Sequence, residues 1–374
     1  MFADCYAGRR VFITGHTGFK GSWLAAWLLE LGAEVAGYAL DAPSTPSCFE
    51  AIGLEKRIRH IHGDVRDRER LAGAVADFAP EVVFHMAAQA LVRPSYEDPA
   101  LTFETNAIGT LNLLEAVRRT PDVRAVVCIT SDKCYRNDEW VWGYRETDHL
   151  GGEDPYSASK ACAEIIARSY FASFFRDGPA MATARAGNVI GGGDWATDRI
   201  VPDCARAWAA KRAVSIRSPF ATRPWQHVLE PLSGYLWLGA GLLMEKKGNA
   251  SELPLDKEAF NFGPAADVNA TVARVADALA LHWPGFAVEM DRDGQAGKKE
   301  STLLKLCCDK ALAHLGWKAA LHFDETIALT AAWYREYYAG QGRTDGEGGM
   351  FAFTVRQIAE YSARAAQRGV PWAL

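Results

Sequence analysis

The sequence predicts an α/β protein with a doubly wound parallel sheet and a second, smaller mixed α/β domain. Two observations support this fold class. In the first half of the chain, short apolar strand patterns alternate with amphipathic helix patterns, which is typical of βαβ units. Right-handed crossovers between such units place helices on both faces of a parallel sheet. The chain has 374 residues, which exceeds the usual size of one domain, so a second domain is expected.

The predicted elements follow one another in strand–helix order through residue 130. Gly32 suits the end of the first helix, and Pro80 suits the end of the second. After residue 190 the pattern loosens into loops rich in Gly, Pro and Trp. The predicted strands cover 10–14, 34–40, 58–61, 81–86 and 124–130, and the predicted helices cover 21–31, 68–78, 101–119 and 354–368.

The looser second half indicates where the domains divide. We expect residues 1–189 to form the large domain and 190–340 to form mainly the smaller one, with some chain returning to the large domain. Residues 341–374 are expected to form a polar, glycine-rich loop and a C-terminal helix.

Charge and composition exclude several classes of protein. The formal net charge is −5, so no general attraction to nucleic acid or to an anionic membrane is expected. The N-terminus lacks the apolar region of a signal peptide, and no run of 18 apolar residues occurs. The eight cysteines are scattered without a CxxC pair, which predicts reduced thiols in a cytoplasmic protein and no metal site.

A glycine-rich turn joins the first predicted strand to the first predicted helix. Gly15, Gly18 and Gly21 form the pattern G-x-x-G-x-x-G, a spacing variant of the dinucleotide-binding fingerprint. Glycines at such a turn let a pyrophosphate approach the backbone, and the helix N-terminus offers free N–H groups and a favourable dipole. The pattern predicts a dinucleotide cofactor, the alternative being an ordinary glycine-rich βα turn.

The ends of the next strands indicate which dinucleotide is bound. Asp41 is placed to bind the adenosine ribose, and residues 38–47 contain no Arg or Lys that would meet a 2′-phosphate, which favours NAD over NADP. Asp64 suits contact with the adenine edge, capping of the next helix, or both. The remaining predicted cofactor contacts are Thr17, Phe19, Lys20, Val65, Ala87, Ala88, Gln89, Asn106, Thr130, Tyr156 and Lys160.

A Tyr-x-x-x-Lys pair follows the fifth predicted strand. Tyr156 and Lys160 lie on one face if the segment is helical. A lysine ammonium beside a phenol, together with a nicotinamide cation, is expected to lower the phenol pKa, so that the tyrosine can take a proton from a hydroxyl. Ser131 lies at the carboxyl end of a strand, where an open α/β sheet binds ligands. The alternative is an exposed helical pair without a catalytic role.

These motifs together resemble the extended short-chain dehydrogenase/reductase superfamily, which has a Rossmann-like fold. Within it, Ser131-Asp132-Lys133 resembles the triplet of nucleotide-sugar 4,6-dehydratases, and the Asp-Lys form is similar to that of the dehydratases acting on CDP-glucose. Further matching segments are Thr14–Ser22, Ala87–Tyr96, Gly187–Trp195 and Arg223–Val228.

The resemblance implies a dehydration that leaves NAD regenerated within each turnover. Tyr156 would deprotonate the 4-hydroxyl as NAD takes a hydride from C4, and the hydride would later return to C6. Asp132 would be the general acid on the departing 6-hydroxyl. Lys133 would be the base at C5, the alternative being that it only pairs with Asp132 and orients it. Nothing in composition or spacing identifies cytosine, so dTDP-glucose and GDP-mannose remain alternative substrates.

A nucleotide-sugar substrate carries a diphosphate, which requires fixed donors and positive charge. By resemblance Arg223 is the best diphosphate ligand, and Asn188 is the next. The family also implies a homodimer or higher homo-oligomer, with 101–119 and 156–175 as candidate interface helices. The predicted substrate contacts are Arg93, Asn188, Arg199, Arg217 and Arg223.

Three other functions compete with this hypothesis. A nucleotide-sugar 4-epimerase shares the cofactor and the tyrosine, but it does not need Asp132 and Lys133. A simple reductase would release NADH. A non-catalytic NAD-binding regulator would have no need of Ser131, Tyr156 and Lys160 together.

Overall fold

The computed structural model of the chain describes residues 1–216, 218–245, 254–265, 268–290, 304–340 and 349–374. Within these residues, seven strands form one sheet with the order β11-β6-β5-β4-β1-β2-β3, and each neighbouring pair is parallel. The doubly wound α/β fold predicted from the sequence is confirmed. Numbered in chain order, these strands are β1 (Arg10–Thr14), β2 (Glu34–Ala39), β3 (Arg59–His62), β4 (Val82–His85), β5 (Ala125–Ile129), β6 (Ala180–Ala186) and β11 (Ala259–Phe262).

Helices cover both faces of this sheet. Apolar residues of β1 alternate between the two faces: Val11 and Ile13 join one core, whereas Phe12 joins the other. One face is covered by α1 (Phe19–Glu30), α9 (Leu229–Met244) and α13 (Met350–Gln367), and the other by α3 (Arg68–Phe78), α6 (Gly109–Arg118) and α7 (Pro155–Ser173). The further helices are α2 (Cys48–Ala51), α4 (Val92–Glu97), α5 (Pro99–Phe103), α8 (Ile200–Ala209), α10 (Val272–Ala280), α11 (Asp309–Leu315) and α12 (Phe323–Ala339).

The chain order reverses at β1, which lies between β2 and β4. Crossovers run in one direction from β1 through β2 to β3, and in the other direction from β4 through β5 to β6. The crevice at the carboxyl ends of the strands beside this switch point is where doubly wound sheets bind their ligands. The glycine turn and the segments after β4 and β5 all lie at this edge.

The predicted helix over 101–119 differs from the structure. It is divided into α5, a π-helical turn at Glu104–Ile108, and α6. The π turn directs Asn106 at the segment after β4, where it hydrogen-bonds the backbone of Gln89. Such turns occur most often at functional sites. Hydrophobic periodicity did not predict the interruption because apolar residues continue on both sides of it.

The second half of the chain contributes to two regions. β8 and β13 pair with each other, and α8, α10 and α12 pack near them. In contrast, α9 packs on β5 and β6, and β11 extends the large sheet by pairing with β6. The short strands are β7 (Val189–Ile190), β8 (Val214–Ile216), β9 (Thr222–Arg223), β10 (Gln226–His227), β12 (Ala270–Thr271) and β13 (Val288–Met290).

The C-terminal helix begins four residues before its predicted start. It covers Met350–Gln367 and packs against α1. The predicted loop before it falls largely on 341–348, which lie outside the described residues. The division into domains at 189 and 340 stays a prediction.

Candidate active site

Two of the three glycines in the turn after β1 have no room for a side chain. Gly15 has φ +78°, and a Cβ on it would lie 2.7 Å from the backbone nitrogen of Ala87. A Cβ on Gly21 would lie 2.3 Å from the carbonyl oxygen of Gly15. α1 begins directly after Gly18, which has no side chain to cap the helix. The first N–H groups of α1 are therefore open to a phosphate, which fits a dinucleotide pyrophosphate.

Thr14 ties this turn to the end of β4. Its hydroxyl accepts hydrogen bonds from the backbone N–H groups of Met86 and Ala87, at 3.1 and 3.2 Å. The same hydroxyl lies 2.7 Å from Nδ1 of His85. Ala87 and Ala88 are half-buried at this edge, so the small residues predicted to lie along the cofactor border the glycine turn.

The predicted ribose and adenine residues lie at the ends of β2 and β3. Asp41 is exposed, and its carboxylate lies 3.5 Å from Nε2 of His62. Partial burial opposes the charge of Asp64, but hydrogen bonds from Arg66 outweigh it and lower the pKa of this carboxyl. The hydroxyl of Thr17 donates to the carbonyl of Leu40 at 3.0 Å, which holds the turn beside β2. The predicted contact Val65 is buried among α3, α6 and β2.

Asn106 joins two predicted parts of the site. Its carbonyl accepts from the backbone N–H of Gln89 at 2.8 Å, and its amide donates to the carbonyl of Gln89 at 3.0 Å. The amide also donates to Ser159 Oγ at 2.8 Å, and Ser159 donates to the carbonyl of Tyr156 at 2.7 Å. Asn106 therefore fixes the catalytic helix α7 against the segment after β4, which is a positioning role that the sequence did not predict.

The segment after β5 forms a tight turn at the same edge. Residues Asp132–Cys134 form one 3₁₀ turn, with Ser131 as its N-cap. The hydroxyl of Ser131 donates to Asp132 Oδ1 at 2.9 Å and accepts from the backbone N–H of Lys133 at 3.2 Å. Ser131 and Asp132 are buried, whereas Lys133 is half-buried. Burial raises the pKa of Asp132, although the Lys133 ammonium and the Ser131 hydroxyl oppose this.

Tyr156 and Lys160 are buried on α7 as their spacing predicts. The Ser131 hydroxyl, which donates to Asp132, also opposes the rise in the pKa of Tyr156, so the three predicted catalytic groups of Ser131, Asp132 and Tyr156 are brought together. Burial raises the pKa of Tyr156 to about 12, and burial lowers the pKa of Lys160 to about 8. Desolvation is the largest cause for both groups, and for Tyr156 it outweighs the Ser131 hydroxyl and the Arg199 charge, which act in the opposite direction.

A buried ion pair behind the catalytic turn was missed in the sequence. Glu164 lies one turn after Lys160 on α7 and accepts two hydrogen bonds from Arg185, at 2.9 and 2.8 Å. Glu164 also accepts from the hydroxyl of Thr130, and Arg185 donates to the hydroxyl of Tyr135 at 2.7 Å. The signal was a third ionisable residue at i+8 of one helix face, after Tyr156 and Lys160.

Two of the predicted substrate residues, Arg93 and Arg199, pair with carboxylates of the segment 194–198. Arg199 lies 2.8 Å from the carboxylate of Asp194 and interacts electrostatically with Tyr156, which places it at the catalytic end. Arg93 lies 2.9 Å from the carboxylate of Asp198, in the segment just before Arg199.

Asn188 and Arg223 lie beside or on short strands that follow β6. Asn188 lies between β6 and β7, and its carbonyl accepts from the N–H of Gln226 at 3.3 Å. Arg223 lies on β9 and donates to the carbonyl of Thr222 at 2.8 Å. Arg217 lies outside the described residues.

In the part of the chain that the structure describes, no group of three or more His, Cys, Asp and Glu side chains could hold a metal ion. Among the same residues, no helix combines the length and the apolar character needed to cross a membrane.

The fold and the site define a dinucleotide-binding α/β enzyme of the extended short-chain dehydrogenase type. The model of the family described as GDP-mannose 4,6 dehydratase matches residues 12–241, and the chain belongs to this family. The sequence is 46% identical to the CDP-glucose 4,6-dehydratase of Salmonella typhimurium, over 95% of this chain and 97% of that protein. The resemblance identified from the sequence motifs is confirmed, as is the prediction of a nucleotide-sugar 4,6-dehydratase type of enzyme.

Solved structures share the fold at lower identity. The UDP-glucose 4-epimerase of Thermus thermophilus, determined with NAD, superimposes with a TM-score of 0.69 at 27% identity and covers 87% of this chain and 99% of that chain. The dTDP-glucose 4,6-dehydratase DesIV of Streptomyces venezuelae gives a TM-score of 0.70 at 23% identity, over 88% and 98% of the two chains.

Proposed function

We propose that this enzyme converts CDP-glucose to CDP-4-dehydro-6-deoxyglucose by NAD-dependent 4,6-dehydration. The observation that carries the proposal is the buried carboxyl of Asp132, held by Ser131 beside the phenol of Tyr156. A 4-epimerase does not need an acid at this point, but removal of a hydroxyl from C6 does. The choice of CDP-glucose rests on the 46% identity to a CDP-glucose 4,6-dehydratase.

NAD fits the glycine turn because the first N–H groups of α1 have no side-chain cap there and can bind a pyrophosphate. Gly15, Gly18 and the first turn of α1 would hold the pyrophosphate, and Asp41 and Asp64 would hold the adenosine. When bound, NAD accepts a hydride from C4 of the sugar and returns it to C6. The site residues bind, orient and move protons around that exchange.

Tyr156 takes the proton of the 4-hydroxyl in the first step. The Ser131 hydroxyl lowers the pKa of this phenol and would bind the reacting sugar oxygen. Lys160, whose pKa burial lowers to about 8, supplies positive charge on the same face of α7. The phenol of Tyr156, with a pKa near 12, requires additional positive charge to lose its proton near neutral pH. A nicotinamide cation is such a charge.

Asp132 and Lys133 remove water in the second step. The 4-keto group makes the C5 proton acidic, and Lys133, once neutral, takes it. Burial favours the protonated form of Asp132, which can then give its proton to the departing 6-hydroxyl. Reprotonation at C5 completes the reaction, and the net change is the loss of one water molecule.

Arginine side chains would bind the diphosphate of the substrate. Arg223 and Asn188 are the first choices, since Asn188 lies directly after the end of β6 and Arg223 lies on the short strand β9. Arg199 lies close to Tyr156, so it suits a phosphate or a sugar hydroxyl nearer to the reacting carbons. Arg93 and Arg217 complete the proposed set.

Separate incubations with CDP-glucose, dTDP-glucose and GDP-mannose test which reaction occurs and which nucleotide the substrate carries. We expect a product lighter by one water from CDP-glucose only, with no steady rise in absorbance at 340 nm. Loss of water from only one of the other two sugar nucleotides would show that the substrate carries that nucleotide instead of CDP. An unchanged mass with an inverted C4 centre would establish an epimerase, and steady NADH formation would establish a reductase.

The assembly is proposed to be a homodimer in the cytoplasm. Ile108 and Ile165 are exposed on the two candidate interface helices, at 47% and 58% of their surface. All eight cysteines are free thiols, which suits a reducing compartment. Light scattering of the native protein and of an Ile165→Glu variant tests the dimer: we expect twice the chain mass for the first and a shift to the monomer mass for the second.

A further inference from the structure

His85 is the last residue of β4, and it is only 3% exposed. Its Nδ1 lies 2.7 Å from the hydroxyl of Thr14, which directly precedes the glycine turn. Its Nε2 lies 3.0 Å from the hydroxyl of Thr110, in the first turn of α6. Both ring nitrogens therefore have a hydroxyl partner, and the two partners belong to different parts of the site.

The other hydrogen bonds of these hydroxyls decide which ring nitrogen carries the proton. The Thr14 oxygen accepts from the backbone N–H groups of the two residues after His85, so its own proton is donated to Nδ1. The Thr110 hydroxyl donates to the carbonyl of Asn106 at 2.7 Å, so its oxygen accepts from Nε2. The two ends independently require a neutral imidazole with its proton on Nε2.

Burial reinforces this arrangement. It lowers the pKa of His85 to about 3, and the positive charge of Lys160 on α7 acts in the same direction. A protonated ring would also direct a second N–H group at the Thr14 oxygen, whose two lone pairs are already taken by backbone N–H groups. The ring therefore stays an acceptor at Nδ1 and a donor at Nε2 near neutral pH.

The hydrogen bonds of Asn106 extend this series to the catalytic helix. Its amide donates to Ser159 Oγ at 2.8 Å, and Ser159 donates to the carbonyl of Tyr156 at 2.7 Å. All of the linking side chains are buried. An unbroken series of hydrogen bonds thus runs from the residue before the glycine turn, through His85 and the π turn, to α7.

The proposed reaction gives this connection a use, and the inference rests on that proposed function. Hydride transfer requires the nicotinamide and the phenol of Tyr156 to reach the same carbon and its hydroxyl together. The glycine turn sets the position of the first, and α7 sets the position of the second. A small displacement of one relative to the other reduces the rate roughly tenfold to a hundredfold. Buried hydrogen bonds resist such a displacement, because breaking one leaves a polar group unsatisfied.

We propose that His85 is a positioning residue: its neutral imidazole, protonated on Nε2, couples the cofactor turn to the catalytic helix through Thr14 and Thr110. In this role His85 contacts neither the substrate nor the reacting atoms. Its effect on catalysis passes through the π turn, which carries Asn106.

Thr110→Val tests the coupling, because it removes the hydroxyl between His85 and Asn106 and keeps a side chain of similar shape. We expect kcat for CDP-glucose to fall roughly tenfold while KM stays within about twofold, since alignment is disturbed and binding of the sugar is not. The Kd for NAD, from calorimetric titration, should rise about threefold or more, because the cofactor turn loses preorganisation. Thr110→Ser keeps the hydroxyl and should restore both values.

Thr330→Val is the matched control. Thr330 is fully buried on α12, and its hydroxyl also donates to the carbonyl four residues earlier, at 2.8 Å. This variant should lower the free energy of unfolding in urea but keep the native kcat and Kd for NAD. Native kcat and Kd in Thr110→Val, or equal losses in Thr110→Val and Thr110→Ser, would overturn the proposal.

The tautomer of His85 is measured without substrate. In protein labelled with ¹⁵N-histidine, the signals absent from His85→Gln should show a protonated Nε2 and an unprotonated Nδ1 from about pH 5 to about pH 9. An ordinary titration near about pH 6.5, or a proton on Nδ1, contradicts the arrangement even if the dehydratase is active. Conversely, inactivity toward every sugar nucleotide rejects the proposed function, while the tautomer and the NAD affinities of the Thr110 variants still decide the coupling.

Discussion

The guanidinium of Arg185 forms two hydrogen bonds with the carboxylate of Glu164, and both side chains are only 4% exposed. Glu164 also accepts from Thr130, and Arg185 donates to Tyr135. These two contacts lie immediately before Ser131 and immediately after Cys134. The ion pair therefore holds both ends of the catalytic turn.

Removing one partner of this pair is expected to be costly. In Glu164→Gln the guanidinium stays buried without its counter-charge, so the free energy of unfolding should fall by about 3–5 kcal/mol. Tyr135→Phe keeps the ion pair but removes a hydroxyl that accepts from Arg185 and donates to Asn261, so it serves as the milder variant, with a loss of about 2 kcal/mol. Urea unfolding measures both, and equal small losses in the two variants would show that the pair is not a structural anchor. We also expect kcat to fall in Tyr135→Phe, since the turn is held less firmly.

Gly15→Ala should prevent NAD binding. Its φ of +78° disfavours an L side chain, and the added methyl would lie 2.7 Å from the nitrogen of Ala87. The matched control is Gly73→Ala, because Gly73 lies inside α3 and a Cβ there meets nothing within 4 Å. The control should raise the free energy of unfolding by about 0.5–1 kcal/mol. Calorimetric titration with NAD compares the two variants. Unchanged NAD affinity in Gly15→Ala would disprove the assignment of the glycine turn as the pyrophosphate site.

The sequence predicted the parts of the site whose residues are close together in the chain. The glycine turn, the Ser131-Asp132-Lys133 triplet and the Tyr156–Lys160 pair each occur within a few residues of a strand or helix end, where a parallel sheet collects ligands. Contacts between residues far apart in the chain could not be read in this way. Lys20 and Tyr235 are separated by 215 positions, and no local pattern links them.

Local conformation set a second limit on prediction. Asn106 reaches Gln89 and Ser159 from a π turn that interrupts an otherwise regular apolar pattern. Charge was a third limit, because the sequence shows that Lys160 neighbours Tyr156 but not how deeply both are buried. Burial is what raises the pKa of Tyr156 to about 12.

The stability of the protein should depend on pH through Glu230. This carboxyl is fully buried on α9, where it accepts from the N–H groups of Ala320 and Leu321 and from the hydroxyl of Tyr361. Burial raises its pKa from 4.5 to about 7, although these hydrogen bonds oppose the shift. A folded-state pKa above the unfolded one means that the folded protein binds the proton more tightly. The resulting stabilisation is complete below pH 4.5 and is lost as the pH rises toward 7.

Glu230→Gln isolates this contribution, since glutamine cannot ionise. From urea unfolding at pH 5, 6, 7 and 8, we expect the native protein to lose up to about 3 kcal/mol relative to the variant as the pH rises. A constant difference between the two proteins across this range would mean that Glu230 does not change protonation there.

Lys133→Met tests the base at C5. If Lys133 removes the C5 proton, sugar recovered after incubation with enzyme in deuterium oxide should carry deuterium at C5 with the native protein and none with the variant. Methionine has similar length but no amine, so it removes the base with little change in volume. Lys318→Met, which changes an exposed lysine, should exchange like the native protein. Exchange that persists in Lys133→Met would assign the base to another group and leave Lys133 the role of orienting Asp132. In that case kcat should still fall, because Lys133 is the largest charge that opposes the burial of Asp132.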